Sequence, residues 1–158
     1  MLDCSPPIAV QPAGPSPRNP KNQDVTPVPS GRVQYTARMT GGIVFLRTAR
    51  FDAVTSFYLD RIGMSVWLEQ PDITILRHGN LLVGFHRQPT ADLDALLTFF
   101  YDTRAEVDAM HAKLNDIATT EPKENTTYRI YNFFGQDPEG RKIEFQHFSH
   151  PLPPITAD

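Results

Sequence analysis

The chain has 158 residues, with 15 Lys/Arg against 18 Asp/Glu and 40% hydrophobic residues, a length and composition that suit one globular domain with an ordinary core. No apolar run approaches the ~18 residues of a membrane-spanning helix, which excludes a membrane partner of that kind, and the single cysteine, Cys4, excludes an internal disulfide and fits a reducing cytoplasm. Residues 1 to 38 carry four Lys/Arg and two Asp/Glu, leaving 11 basic against 16 acidic residues; with no basic cluster, a nucleic-acid surface is not expected, while a neutral or cationic small ligand is tolerated.

The first 38 residues hold eight of the 15 prolines before position 30 and almost no aromatics, so the segment is expected to be a disordered leader. It lacks the basic start and apolar segment of a secretory signal, and Met39 opens the folded pattern directly, as it would if the leader came from an upstream start. The folded domain is expected over 39–152, with 153–158 as a tail.

From Met39 the pattern is regular. "GGIVFLRTA" reads as a strand. "FDAVTSFYLDRIG" reads as a helix with Val54, Phe57, Tyr58 and Ile62 on one face and Gly63 as its stop. "MSVWLEQ", "DITILRH" and "NLLVGFHRQ" are three strands, the last two joined by the hairpin dipeptide Gly79-Asn80. The order then recurs. "LLTFFYD" is a strand, and "TRAEVDAMHAKLND" is a helix with a Thr103/Glu106 capping box and Val107, Met110 and Leu114 inward. A short strand is expected between Ala118 and Lys123. "TTYRIYNFF" and "RKIEFQHF" complete the series, the last entered through Asp137, Pro138 and Gly140, placed as a type I turn wants them.

Strand, helix, three strands, twice, is an internal repeat. An offset of 53 aligns Val54 with Val107 and Phe57 with Met110, and an offset of 60 aligns "VGFH" (83–86) with "IEFQ" (143–146). Two offsets and one element order favour duplication over chance alignment of amphipathic helices. The fold class is α+β, with a ferredoxin-like domain as the alternative.

With "SFYLDRIGM" in the first helix and "DPEGRKIEF" in the final hairpin, residues 42 to about 150 resemble the vicinal oxygen chelate superfamily, which includes glyoxalases, extradiol dioxygenases and bleomycin-resistance proteins. The resemblance implies two βαβββ modules, about 42–88 and 95–150, whose curved sheets form a cup, and a homodimer. It also implies a divalent metal held from the first and last strand of each module. Those positions are Ile43, Gly84, Leu96 and Glu144 here, so one ligand of four survives, and no cofactor is expected. A register shifted by two residues offers Glu144, His86 and Gln146 as the alternative metal set.

Strand alternation lists the cup wall without a metal: Ile43, Phe45, Arg47, His86, Leu96, Thr98, Phe100, Glu144, Gln146 and Phe148, with Trp67 at the mouth. An apolar, aromatic pocket with a few polar groups is the make-up of a small-molecule site. A carboxylate turned inward on a strand needs a partner, and Arg47 is the natural one for Glu144. Two function classes follow. One is a bleomycin-resistance-like module that sequesters a small, partly aromatic molecule. The other is an enzyme, either a metal-dependent lyase, isomerase or dioxygenase, or a metal-free one with Glu144 as the catalytic base.

Overall fold

The computed structural model describes residues 41 to 155; the expectations for the leader, and for the end of the tail, lie outside them. Strand β1 (Val44–Thr48) leads into helix α1 (Phe51–Ser56), which continues as a π-helical stretch from Phe57 to Ile62. Gly63, at φ 87°, ends it in the left-handed conformation that glycine adopts freely. The four residues expected on one face, Val54, Phe57, Tyr58 and Ile62, are all buried. The wider winding of the second half is a departure from the plain helix expected.

Strands β2 (Ser65–Gln70), β3 (Ile73–His78) and β4 (Leu81–Arg87) form a meander, and β1 pairs in parallel with β4 to give the sheet order β1-β4-β3-β2. Gly79, at φ 56°, makes the two-residue hairpin between β3 and β4. The second module repeats the plan with β5 (Leu96–Tyr101), α2 (Arg104–Lys113), β6 (Lys123–Asn125), β7 (Ile130–Gln136) and β8 (Lys142–Phe148), in the order β5-β8-β7-β6. Thr103 and Glu106 form the expected capping box on α2, with the Glu106 N–H donating to Thr103 Oγ1 at 3.3 Å and the Thr103 N–H to Glu106 Oε2 at 2.9 Å.

The duplication is visible in the registers. Phe45 pairs with Gly84 in the first module and Thr98 with Glu144 in the second, reproducing the offsets of 53 and 60. Two strand expectations shift. The segment at 118–123 contributes only a bridge from Ala118 to Gly135, its strand being Lys123–Asn125. The strand expected from Thr126 begins at Ile130, because the Tyr128 N–H donates to Asn125 Oδ1 and Arg129 turns to φ 53°, closing a turn.

The inner faces of both sheets and the helices share one core. In it Phe145 stacks between Phe99 and Phe133, with centroids 5.6 and 4.9 Å away, while Tyr58 stacks on Phe85 at 4.8 Å. Each such side chain contributes roughly 1.5–3 kcal/mol by burial. A polar clamp joins the modules at one end. Arg141, wholly buried, donates from Nη1 to Asp137 Oδ2 at 2.8 Å, from Nε to the Asp92 carbonyl at 2.7 Å and from Nη2 to the Arg47 carbonyl at 2.7 Å. Asp137 also accepts from Tyr58 Oη at 3.1 Å and from the Glu139 and Arg141 N–H groups. Burial, then Asp137, hold the Tyr58 hydroxyl far above its ordinary range, so it stays a donor. The turn 137–140 is thus more than a reversal. It closes with the Gly140 N–H on the Asp137 carbonyl at 2.9 Å, and its carboxylates anchor β1 and α1 of the other module.

Candidate functional site

Alternation along β8 turns Ile143 and Phe145 into the core and presents Glu144, Gln146 and Phe148 on the opposite, concave face. On β7 the same rule presents Ile130, Asn132 and Phe134, and Asn132 pairs directly with Gln146. Together with Leu96 of β5, Asn125 of β6 and Tyr128 from the turn, these residues line a concavity of about 440 Å³. Its walls are mostly apolar and aromatic, and its polar lining is three amides and one carboxylate.

Glu144 is 8% exposed. Thr98 Oγ1 donates to its Oε2 at 2.8 Å and Asn132 Nδ2 to its Oε1 at 2.6 Å. Both donors are neutral. Arg47, expected to pair with Glu144, does not. It donates from Nε and Nη2 to Asp92 Oδ1 at 2.9 and 2.5 Å, and from its backbone N–H to Oδ2 at 2.8 Å. The linker brings Asp92 back against β1, with the Asp92 N–H on the Arg47 carbonyl, so the guanidinium finds a nearer, forked partner. The side-chain bonds first, then the backbone one, hold the Asp92 carboxyl below its usual range.

The expected cup wall therefore divides. Thr98, Glu144, Gln146 and Phe148 come together, and Phe100 adjoins them through an edge-to-face contact with Phe148 at 5.8 Å. Phe45, Arg47, His86 and Trp67 stay on the first module. Phe45 and Trp67 are half exposed there, and His86 Nε2 lies 2.9 Å from Gln88 Nε2. Sequence reasoning missed Asn125, Tyr128, Ile130, Asn132 and Phe134 because, Trp67 apart, it sought the wall on the first and last strand of each module. The signal was present in "RIYNFF", whose alternation sets Asn132 between two apolar residues on one face.

The residues at the expected metal positions do not fit a divalent ion. Gly84 lies under the Phe45 ring, where an added Cβ would stand 2.4 Å from both Phe45 Cδ1 and Cε1. Ile43 and Leu96 offer no donor, and the registers place Phe45 and Thr98, rather than those two, beside Gly84 and Glu144. Of the alternative set, Glu144 and Gln146 border the concavity but His86 does not. Among the described residues no three His, Cys, Asp or Glu side chains are grouped to hold an ion.

Two open four-stranded sheets, each a βαβββ unit and one bearing a polar-floored concavity, make up the fold that the vicinal oxygen chelate resemblance implied. Solved structures with the same fold include glyoxalase/bleomycin resistance/dioxygenase proteins. One from Nocardioides matches with a TM-score of 0.58 at 14% identity, over 77% of this chain and 91% of its own. One from Burkholderia phytofirmans matches at 0.57 and 21%, over 70% and 98%. A lactoylglutathione lyase from Agrobacterium tumefaciens matches at 0.57 and 19%, over 71% and 93%. At these identities the likeness is one of fold. No protein-family model and no curated protein sequence matches the chain. Among the described residues no helix is long and apolar enough to cross a membrane.

Proposed function

We propose that this protein binds a small, partly aromatic molecule in the concavity of its second module, without a complete version of the metal site its fold implies. The supporting observation is the pairing of an apolar wall (Leu96, Ile130, Phe134 and Phe148) with a fixed polar floor of Glu144, Asn132 and Gln146. Apolar area supplies affinity in such a site and the few polar groups set orientation. The same reading includes a homodimer in a reducing cytoplasm. Val44 and Phe45 on edge strand β1, and Val66, Trp67 and Leu68 on the opposite edge strand β2, are all 43–50% exposed and support apolar edges that a second copy would cover. Light scattering that returns the monomer mass would remove that part.

The test is a thermal-shift screen of planar aromatic compounds, followed by titration of a hit against Phe148→Ala. Loss of one aromatic wall is expected to weaken binding about tenfold or more, corresponding to about 1.4 kcal/mol. A screen in which no aromatic compound raises the melting point, while a hydroxy-acid or thiol adduct does, would overturn the reading. Turnover of a hit that Glu144→Gln abolishes while binding is kept would make the protein an enzyme instead.

A further inference from the structure

Glu144 is a buried charge-bearing group whose two partners, Thr98 and Asn132, are both neutral. A buried carboxylate on neutral donors alone lacks the counter-charge that normally offsets its desolvation. The basic residue expected to supply it, Arg47, is committed to Asp92. The nearest basic residue along the same strand face is Lys142, two positions earlier. Its ammonium does not pair with Glu144 but lies 5.8 Å from the centroid of Phe134, a wall of the concavity. The chain's own cation thus already rests against an aromatic face of this site, the arrangement in which a ring quadrupole attracts positive charge.

Resting on the reading above, we infer that the occupant is an organic cation, an aromatic or aliphatic body carrying a protonated amine or amidine. Its N–H donors meet the free lone pairs of Glu144, its charge supplies the missing counter-ion, and its apolar part lies along Phe134 and Phe148. Each carboxylate oxygen has acceptor capacity beyond the one bond it receives. The neighbouring Gln146 amide, opposite Asn132, offers a further acceptor for a branched donor head. A carboxylate or phosphate head is disfavoured, because it would face Glu144 across the floor.

Three probes share one aromatic body and differ only in head charge: 2-phenylethylamine, 2-phenylethanol and phenylacetate. Calorimetric titration of the full chain at neutral pH should rank them in that order, with the amine about tenfold tighter than the alcohol, or about 1.4 kcal/mol. Glu144→Gln keeps the side chain's shape and should bring amine and alcohol level. Lys142→Ala, at an exposed position, should tighten the amine by removing a like charge. Equal binding of amine and alcohol, or an amine preference that survives Glu144→Gln, overturns the inference and leaves the small-molecule site standing. Phenylacetate binding best, and weakening in Lys142→Ala, overturns it in favour of an anion. No heat from any of the three up to millimolar concentration overturns both the inference and the reading beneath it.

Discussion

Replacing Arg141 by methionine tests whether the polar clamp holds the two modules together. The substitution keeps an apolar stem and removes the charge, all three side-chain donors and the guanidinium that lies over the Phe85 ring. Asp137, 5% exposed, would keep only Tyr58 and two backbone N–H groups, and the carbonyls of Arg47 and Asp92 would each lose a partner. Removing one member of a buried ion pair costs about 3–5 kcal/mol, and an orphaned buried acceptor adds about 1 kcal/mol. A total near 4–6 kcal/mol is a large share of the ~5–15 kcal/mol by which such a domain is stable. At about 4 °C per kcal/mol for a domain of this size, the melting temperature should fall by roughly 15–25 °C. Circular dichroism during heating and urea unfolding measure it, and an Asp137→Asn change added to Arg141→Met should recover part of the loss, since the two sites are coupled. A fall below about 1 kcal/mol, or strict additivity in the double variant, would refute the reasoning.

Glu139 makes a second test through pH. Burial opposes its ionisation, but hydrogen bonds from Thr48 and from the Arg50 and Ala49 N–H groups, with Arg141 nearby, prevail and hold its carboxyl below the ordinary value of 4.5. The unfolded chain therefore binds the proton more tightly. The stability Glu139 contributes is present above pH 4.5 and lost as pH falls through the depressed folded value. Glu139→Gln should flatten the acid limb of a melting-temperature profile, and an unchanged limb would count against the clamp. Gly84→Ala should cost about 1 kcal/mol, since the half-exposed Phe45 ring must swing aside, and nothing in a Phe45→Ala background. Paired urea titrations decide between coupling and independence.

The duplicated fold was legible because periodicity survives in a short sequence. Two helical faces, a capping box, a hairpin Gly-Asn and two numerical offsets are local signals that core packing then reinforces. The site was half legible. Alternation along β8 put Glu144, Gln146 and Phe148 on one face, and parallel pairing put Thr98 beside the carboxylate. Its real partners were harder to reach. Asn132 bonds Glu144 from an antiparallel neighbour whose register depends on the five-residue turn 137–141. Arg47 went elsewhere because Asp92 returns to β1 from a linker with no periodicity to read. Charge complementarity named a plausible pair, but the shorter path through the chain decided the actual one.

The two copies of the unit differ less in their strands than in what joins them. In the first module the three links after the helix span residues 63–64, 71–72 and 79–80; in the second they span 114–122, 126–129 and 137–141. Every link of the second module is longer, and each makes contacts its counterpart lacks. The first lays Ile117 and Thr120 against β7, where a Cβ on Gly135 would meet the Ile117 carbonyl at 3.1 Å. The second hangs Tyr128 over the concavity, and the third carries the acidic and basic residues that fasten one module to the other. The two units share one scaffold, and the longer links of the second accompany the concavity that it bears. Grafting the three longer links onto the first module is therefore the shortest route to a chain with two such concavities.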